Sequence, residues 1–404
     1  MVAERPVGRK LALVMVGLPA RGKTFVARKL QRYLSWLGYR TLWVNVGDYR
    51  RERAGARQPA AYFAPDNELT RGEREGFARA ALDDMLDWFK DGGEVGIYDA
   101  TNTERARRDL IRKACLRSGI DVLFVEIICD DPAIIEANVR SIKVTLPDYE
   151  GMSRDEAFRD FLARIAQYER TYAPVEDYEG SYVKVVDAGR QVISNRIEGY
   201  LSSRLAFFLM QIRPTERVIW LSRHGESESN LAGRIGGDAA LTERGLQYAR
   251  GLAAFVHERS GSPVIWTSTL QRTVVTGAIA GSGSQNLRAL DEIDAGICDG
   301  LTYEEIKAQM PEEFNARARD KFRYRYPRGE SYADVIQRLE PVIVELERQR
   351  APVLIIAHQA VLRALYGYLM GRPQDECPYL EVPLHTVIQL TPTEIGYDEA
   401  RFRL

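Results

Sequence analysis

Nowhere in these 404 residues does an apolar run approach the roughly 18 needed to cross a bilayer; the longest are strand-length stretches such as Leu11 to Val16. Membrane insertion is therefore not expected. The opening residues, Met1 to Lys10, carry charge without a following apolar region and small-residue cleavage site, so a secretory signal is not expected either and a cytoplasmic location follows. Cysteine is scarce: Cys115, Cys129, Cys298 and Cys377 lie far apart without CxxC or CxxxC spacing, which excludes a disulfide scaffold and reads as reduced thiols. A surplus of either charge is also missing, with 56 Lys+Arg against 57 Asp+Glu, so no global field draws nucleic acid or anionic membrane. Any anion site must be a local cluster.

The length exceeds one typical domain core and suits two. From Lys10 to about Asp187, apolar runs alternate with amphipathic segments, the pattern of a parallel sheet covered by helices. Strands are expected at Leu11 to Val16, Thr41 to Val46, Val95 to Tyr98 and Val122 to Ile128. Helices are expected from Val26 to Leu37, ending at Gly38, and around Phe77 to Phe89. Val192 to Ile212 reads as helical, and Arg213-Pro214-Thr215 then interrupts the pattern. The boundary falls near 213, giving domains 1–212 and 213–404. Alternation resumes with strands near Val218 to Leu221, Val264 to Trp266 and Val353 to Ala357, and helices near Leu246 to Val256 and Val335 to Leu346. The expected fold class is α/β in both domains, the first doubly wound.

Gly17-Leu18-Pro19-Ala20-Arg21-Gly22-Lys23-Thr24 fits GxxxxGK[ST] between an apolar strand and an amphipathic helix, the context a P-loop requires. Glycines such as Gly17 and Gly22 let the backbone wrap phosphate, and amides at the helix start donate to its oxygens. Lys23 would bridge the β and γ phosphates of ATP, and Thr24 would offer its hydroxyl to Mg2+. Asp99, directly after Val95 to Tyr98, is placed to complete the metal site or to act as base. An ordinary strand-to-helix turn explains the glycines but not the Lys-Thr pair; an aspartate after a strand is often merely a helix cap. Arg50, Arg51, Arg105, Arg107 and Arg108 follow strand ends, and Arg74 and Arg164 lie on expected helices, guanidinium forks suited to a dianionic phosphate.

Together with Asn45 to Arg51, Pro65 to Glu68 and Asp99 to Thr103, this motif resembles the kinase half of the bifunctional 6-phosphofructo-2-kinase/fructose-2,6-bisphosphatase family. The resemblance implies that Arg50, Arg74, Thr101, Arg107, Arg164 and Tyr168 hold fructose 6-phosphate, with Lys143 between sugar and nucleotide. Arg21 would join Gly17, Gly22, Lys23 and Thr24 in nucleotide binding. Cys129 matches a family active-site position, although a buried thiol at a strand end is the simpler reading.

In the second half, Arg223-His224-Gly225-Glu226 follows one strand and His358-Gln359 another. Two histidines and an arginine at strand ends suit a phosphate pocket: His224 can attack phosphorus while Arg223, Arg272 and His358 offset charge, and Glu292 protonates the leaving oxygen and then activates water. The Arg-His-Gly triplet resembles the histidine phosphatase (phosphoglycerate mutase-like) superfamily. Gly233 to Asp238, Leu301 to Ile306 and Tyr324 to Tyr332 narrow the likeness to the bisphosphatase. It implies that Asn230 and Gly236 bind the 2-phosphate of fructose 2,6-bisphosphate, while Tyr303, Arg317, Lys321, Tyr332, Gln359 and Arg363 bind the sugar and its 6-phosphate. His257 and His385 read as structural. A homodimer rests on the resemblance alone. Asp299-Gly300 stands where the family often has Glu-Glu.

Two other readings compete. A polynucleotide kinase joined to an end-processing phosphatase would pair the same chemistries, but no aromatic-basic strand-binding stripe is present. A nucleotide and sugar-phosphate sensor with a dormant site would have no physical need for Lys23, His224, Glu292 and His358 together.

Overall fold

The structure is a computed structural model and describes residues 10–141, 146–213, 217–260, 262–393 and 396–404. Lys143 lies outside the described residues, as do Pro214 and Thr215 of the expected boundary. The chain divides into two compact units, one of Met1–Leu34 and Tyr39–Ile212, the other of Ser35–Gly38 and Arg213–Leu404.

The first unit is built on a six-stranded sheet: β1 Lys10–Val16, β2 Thr41–Asn45, β3 Val95–Asp99, β4 Ile120–Ile128, β5 Tyr182–Val186 and β6 Gln191–Asn195, in the order β2-β3-β1-β4-β5-β6. β1 is buried from Leu11 to Val16, as its unbroken apolar run requires of a central strand covered on both faces. Parallel pairing puts the ends of β1, β2 and β3 along one edge, with Val14 opposite Tyr98 and Asn45 opposite Asp99. This edge receives the glycine loop. The helix Glu68–Lys90 starts at Asn67, whose side chain accepts from the Thr70 amide, and buries Ala81, Leu82, Met85 and Phe89 in the core.

Two expectations need correction. Val46 leaves the strand because Asn45 caps a helix there, its side chain accepting from the Gly47 amide. The helix expected over Val192–Ile212 begins only at Tyr200 and ends at Gln211; the preceding residues form β6, antiparallel to β5. The sheet is thus mixed, with one reversed edge strand.

The second unit contains β7 Ile219–Arg223, β8 Val264–Thr267, β9 Gln285–Asn286, β10 Val353–Ala357, β11 Thr386–Pro392 and β12 Tyr397–Arg403, in the order β12-β11-β7-β10-β8-β9. β10 runs parallel to both β7 and β8, pairing Ala357 with Arg223 and Ile356 with Thr267. The residues that follow these three strands, His224, His358 and Ser268, therefore share one edge. β11 is antiparallel to β7 and to β12, so this sheet too is mixed.

Candidate active sites

At the edge of the first sheet, Gly17 adopts φ +135°, and a Cβ there would lie 2.4 Å from the Ile127 carbonyl oxygen. Only glycine fits. The Gly17 amide donates to the Thr101 carbonyl at 2.9 Å, which fixes the loop's entry. Lys23, 8% exposed, opens the following helix and donates to the Leu18 carbonyl at 2.6 Å. Asp99 is buried and accepts from Asn45 Nδ2 at 2.9 Å and Trp43 Nε1 at 3.3 Å, with the Thr24 hydroxyl also donating to it. Burial raises its pKa, opposed by the Lys23 charge and these donors. Arg21 is tied to the Pro19 carbonyl at 3.2 Å and faces Glu169 at 3.7 Å.

The arginines divide sharply. Arg50 and Arg164 are drawn to one buried carboxylate, Asp148, with Arg164 at 3.5 Å and Arg51 also reaching it at 3.3 Å. The Arg164 guanidinium lies 3.7 Å over the Phe63 ring, and Tyr168 packs beside that ring at 5.9 Å. Burial and the neighbouring Arg164 lower the Arg50 pKa, against the pull of Asp148. The Nε atoms of Arg50 and Arg164 remain buried without a partner. Arg50 also donates to the Gly55 and Ala56 carbonyls at 3.4 and 3.1 Å, and Arg74 donates to those of Thr70, Phe63 and Ala64 at 3.0 to 3.3 Å. Arg108 is a strut, ion-paired with Glu179 at 2.7 Å, while Arg107 and Thr101 are half-buried. Burial raises the Cys129 thiol pKa, which suits a structural residue.

At the second edge, a cavity of about 260 Å³ is lined by Arg223, His224, Arg272 and Glu292 among others. His224 Nδ1 lies 2.7 Å from the Gly225 carbonyl, which can only accept, so Nδ1 carries the proton. Arg272 Nε donates to His224 Nε2 at 3.2 Å, which requires a lone pair on that nitrogen. Both contacts select the tautomer a nucleophile needs. Burial, then the Arg272 charge, holds the His224 pKa down at about 3, so it stays neutral through the physiological range. Arg223 falls to about 10, chiefly through burial.

Glu292 accepts from the Ile293 and Ala360 amides at 2.9 and 3.2 Å. His358 has no exposed surface and is absent from the cavity wall, but its ring lies 5.1 Å from that of His224. Gly236, at φ +69°, lies so close to Asp299 that a Cβ would sit 1.5 Å from the carboxylate oxygen. The same oxygen accepts from the Gly237 amide at 2.9 Å, and the Gly237 carbonyl takes Arg272 Nη1 at 2.6 Å. Asn230 lines the cavity and also closes a capping box with Ser227.

The far wall is cationic and phenolic. Arg317 donates to the hydroxyls of Tyr326 and Tyr303 at 2.9 and 3.0 Å, and Arg363 to that of Tyr332 at 3.3 Å. Gln359 also lines the cavity. Lys321 donates to the Pro378 carbonyl at 2.9 Å, and burial, then Arg363 and Arg317, lower its pKa to about 8. His385 stacks against Tyr248 at 5.0 Å and His257 is exposed, both outside this cavity's wall.

Sequence reading overlooked several groups. Asp148 gathers three arginines from 97 and more residues upstream or 16 downstream, and nothing local marks it. Trp43 and Asn45 hold Asp99 across neighbouring strands. Arg338 supports the acid's loop by donating to the Asp291 and Glu292 carbonyls at 2.7 and 3.2 Å. Ser268 accompanies His358, and its place directly after a strand is the same signal that pointed to both histidines.

Residues 2–216 match the 6-phosphofructo-2-kinase family model, and residues 219–403 match that of the histidine phosphatase superfamily, branch 1. The chain is 51% identical over 416 residues to a 6-phosphofructo-2-kinase/fructose-2,6-bisphosphatase of Arabidopsis thaliana, covering 100% of this chain but only 56% of that relative. It is 49% identical over 389 residues to the enzyme of the same description from Gallus gallus, covering 95% of this chain and 83% of the relative. Among solved structures, the alpha-ribazole phosphatase from Shigella flexneri is 24% identical with a TM-score of 0.42, covering 45% of this chain and 94% of the other.

Proposed function

This chain belongs to the bifunctional 6-phosphofructo-2-kinase/fructose-2,6-bisphosphatase family, and from that premise we propose that a kinase domain of residues 1–212 makes fructose 2,6-bisphosphate while a phosphatase domain of residues 213–404 hydrolyses it. The observation that carries the reading is the cavity in which a neutral His224 meets Arg272 beneath a wall of tyrosines, arginines and Lys321.

In the kinase, ATP phosphates lie along the Gly17–Thr24 loop, and Lys23 offsets charge that develops on the transferred group. Thr24 and Asp99 would hold magnesium. One hydroxyl and one carboxylate fit an ion that takes its other ligands from phosphate and water. When bound, the metal neutralises charge on the β and γ phosphates. Arg50, Arg74, Thr101, Arg107, Arg164 and Tyr168 hold fructose 6-phosphate, and the anomeric C2 hydroxyl attacks the γ-phosphorus as the bond to the ADP oxygen breaks, its proton passing to Asp99 or to water. That hydroxyl is more acidic than an ordinary alcohol, so positioning and charge neutralisation dominate.

In the phosphatase, the His224 Nε2 lone pair forms an N–P bond as the P–O2 bond breaks. The O2 electron pair takes a proton from Glu292. Water, deprotonated by Glu292, then attacks phosphorus and restores His224 with release of phosphate. Arg223, Arg272, Asn230 and Gly236 bind the 2-phosphate, and Tyr303, Arg317, Lys321, Tyr332, Gln359 and Arg363 hold the rest.

Incubation with ATP, magnesium and fructose 6-phosphate, read by 31P and 13C NMR, is expected to show a new phosphate on C2. A phosphate on C1 would refute the reading. A second outcome follows from Lys321, which is charged below a pKa of about 8 and neutral above it. The KM for fructose 2,6-bisphosphate should rise about tenfold between pH 7 and 9 at constant kcat, and Lys321→Met should flatten that rise.

A further inference from the structure

Trp43 and Asn45 stand two residues apart on β2, so their side chains project from the same face of the sheet, with Asn45 paired opposite Asp99 and Trp43 opposite Ile97. Both reach one atom: Asn45 Nδ2 donates to Asp99 Oδ2 at 2.9 Å and Trp43 Nε1 donates to it at 3.3 Å. Neither donor can be turned around. The Asn45 Oδ1 is taken by the Gly47 amide at 2.8 Å, which leaves Nδ2 for the carboxylate, and an indole nitrogen only donates. A carboxylate oxygen has two lone pairs, so Oδ2 is filled and what Asp99 does for the reaction falls to Oδ1.

Behind the indole lies a cation. The Arg28 guanidinium carbon sits 3.8 Å over the centre of the Trp43 ring. Arg28 stands four residues after Thr24 on the helix Lys23–Trp36, on the face that also brings the Thr24 hydroxyl to Asp99. A positive charge on the face of an indole holds the ring in place and draws electron density from it, which strengthens its N–H as a donor. We propose that Trp43 is a positioning residue of the kinase, its indole N–H and the Asn45 amide together locking the Asp99 carboxylate so that Oδ1 alone meets the reacting groups. The proposal rests on the reading of Asp99 as an acid of the kinase site. Trp43 lies outside the Asn45 to Arg51 and Asp99 to Thr103 motifs, so the family resemblance gives it no role.

The test uses the full chain with 15N-labelled tryptophan, in which five indole N–H signals report. Trp43→Phe keeps a ring under Arg28 and removes only the donor. It identifies the Trp43 signal by its loss, and the other four signals holding their positions shows that the variant folds. In the ligand-free chain, Asp99→Asn should move the Trp43 signal upfield, since an amide oxygen is a weaker acceptor than a carboxylate. In Trp43→Phe, kcat for synthesis should fall about tenfold, because the acid is left misaligned. The KM for fructose 6-phosphate and the rate of hydrolysis should not change, since the sugar contacts and the other site are untouched. A Trp43 signal that ignores Asp99→Asn, or a folded Trp43→Phe enzyme with unchanged kcat for synthesis, would overturn the proposal. Synthesis at the wild-type rate by Asp99→Asn would instead overturn the kinase role given to Asp99, a result separable from the clamp because the indole signal is read without substrate.

Discussion

A chain carrying His224→Ala is expected to lose hydrolysis of fructose 2,6-bisphosphate by about 10⁴-fold or more while its rate of synthesis stays within about twofold. The reaction needs a lone pair in line with phosphorus, and among the described residues of the cavity wall His224 presents one already stripped of its proton by geometry. Alanine leaves Arg223 and Arg272 in place, so the bisphosphate should still bind and KM should change little. The loss should lie in kcat. Release of phosphate labelled at the 2-position measures one activity, and consumption of ATP with fructose 6-phosphate measures the other. Hydrolysis surviving above about 1% of the wild-type rate would mean that another group, or water directly, attacks phosphorus.

The reciprocal change, Lys23→Met, is expected to lower synthesis by about 10³-fold and leave hydrolysis intact. Lys23 is buried at the start of its helix with its ammonium on the Leu18 carbonyl. Methionine has a similar apolar stem, so the loop should keep its path around Gly17 and lose only the charge. That charge matters most when negative charge accumulates on the transferred group. The defect should therefore exceed any loss of ATP affinity measured by calorimetry, and equal losses in the two would assign Lys23 to ground-state binding alone. Loss of both activities in a folded Lys23→Met chain would rule out independent sites.

The strands legible in the sequence were those whose burial leaves an unbroken apolar run, such as β1 and β10. β6 escaped because it is a partly exposed edge strand, Gln-Val-Ile-Ser-Asn, whose sparse apolar residues blend into the helix that follows Gly199. Groups carried on motifs at strand ends, Lys23, Asp99, His224 and His358, could be named because their neighbours in sequence advertise the turn. Asp148 and Ser268 could not be assigned in the same way. Their partners are distant in the chain, and an aspartate in a short turn or a serine after a strand has many ordinary explanations. Arg74, read from residue type as an anion ligand, has its guanidinium held by three backbone carbonyls, a setting that no neighbouring sequence feature announces.

The Asp148 cluster has a further effect on the proposed reading. Arg50, Arg164 and Arg51 share the Asp148 carboxylate, and Asp48 pairs with Arg51, so three cations meet two anions and one unit of positive charge is in surplus. A phosphate ester cancels that surplus, whereas free fructose would strip its hydration and offer nothing in exchange. If fructose 6-phosphate docks on this cluster as proposed, ionic balance would screen the acceptor before any phosphoryl group moves, and sugars not already phosphorylated would be turned away at entry.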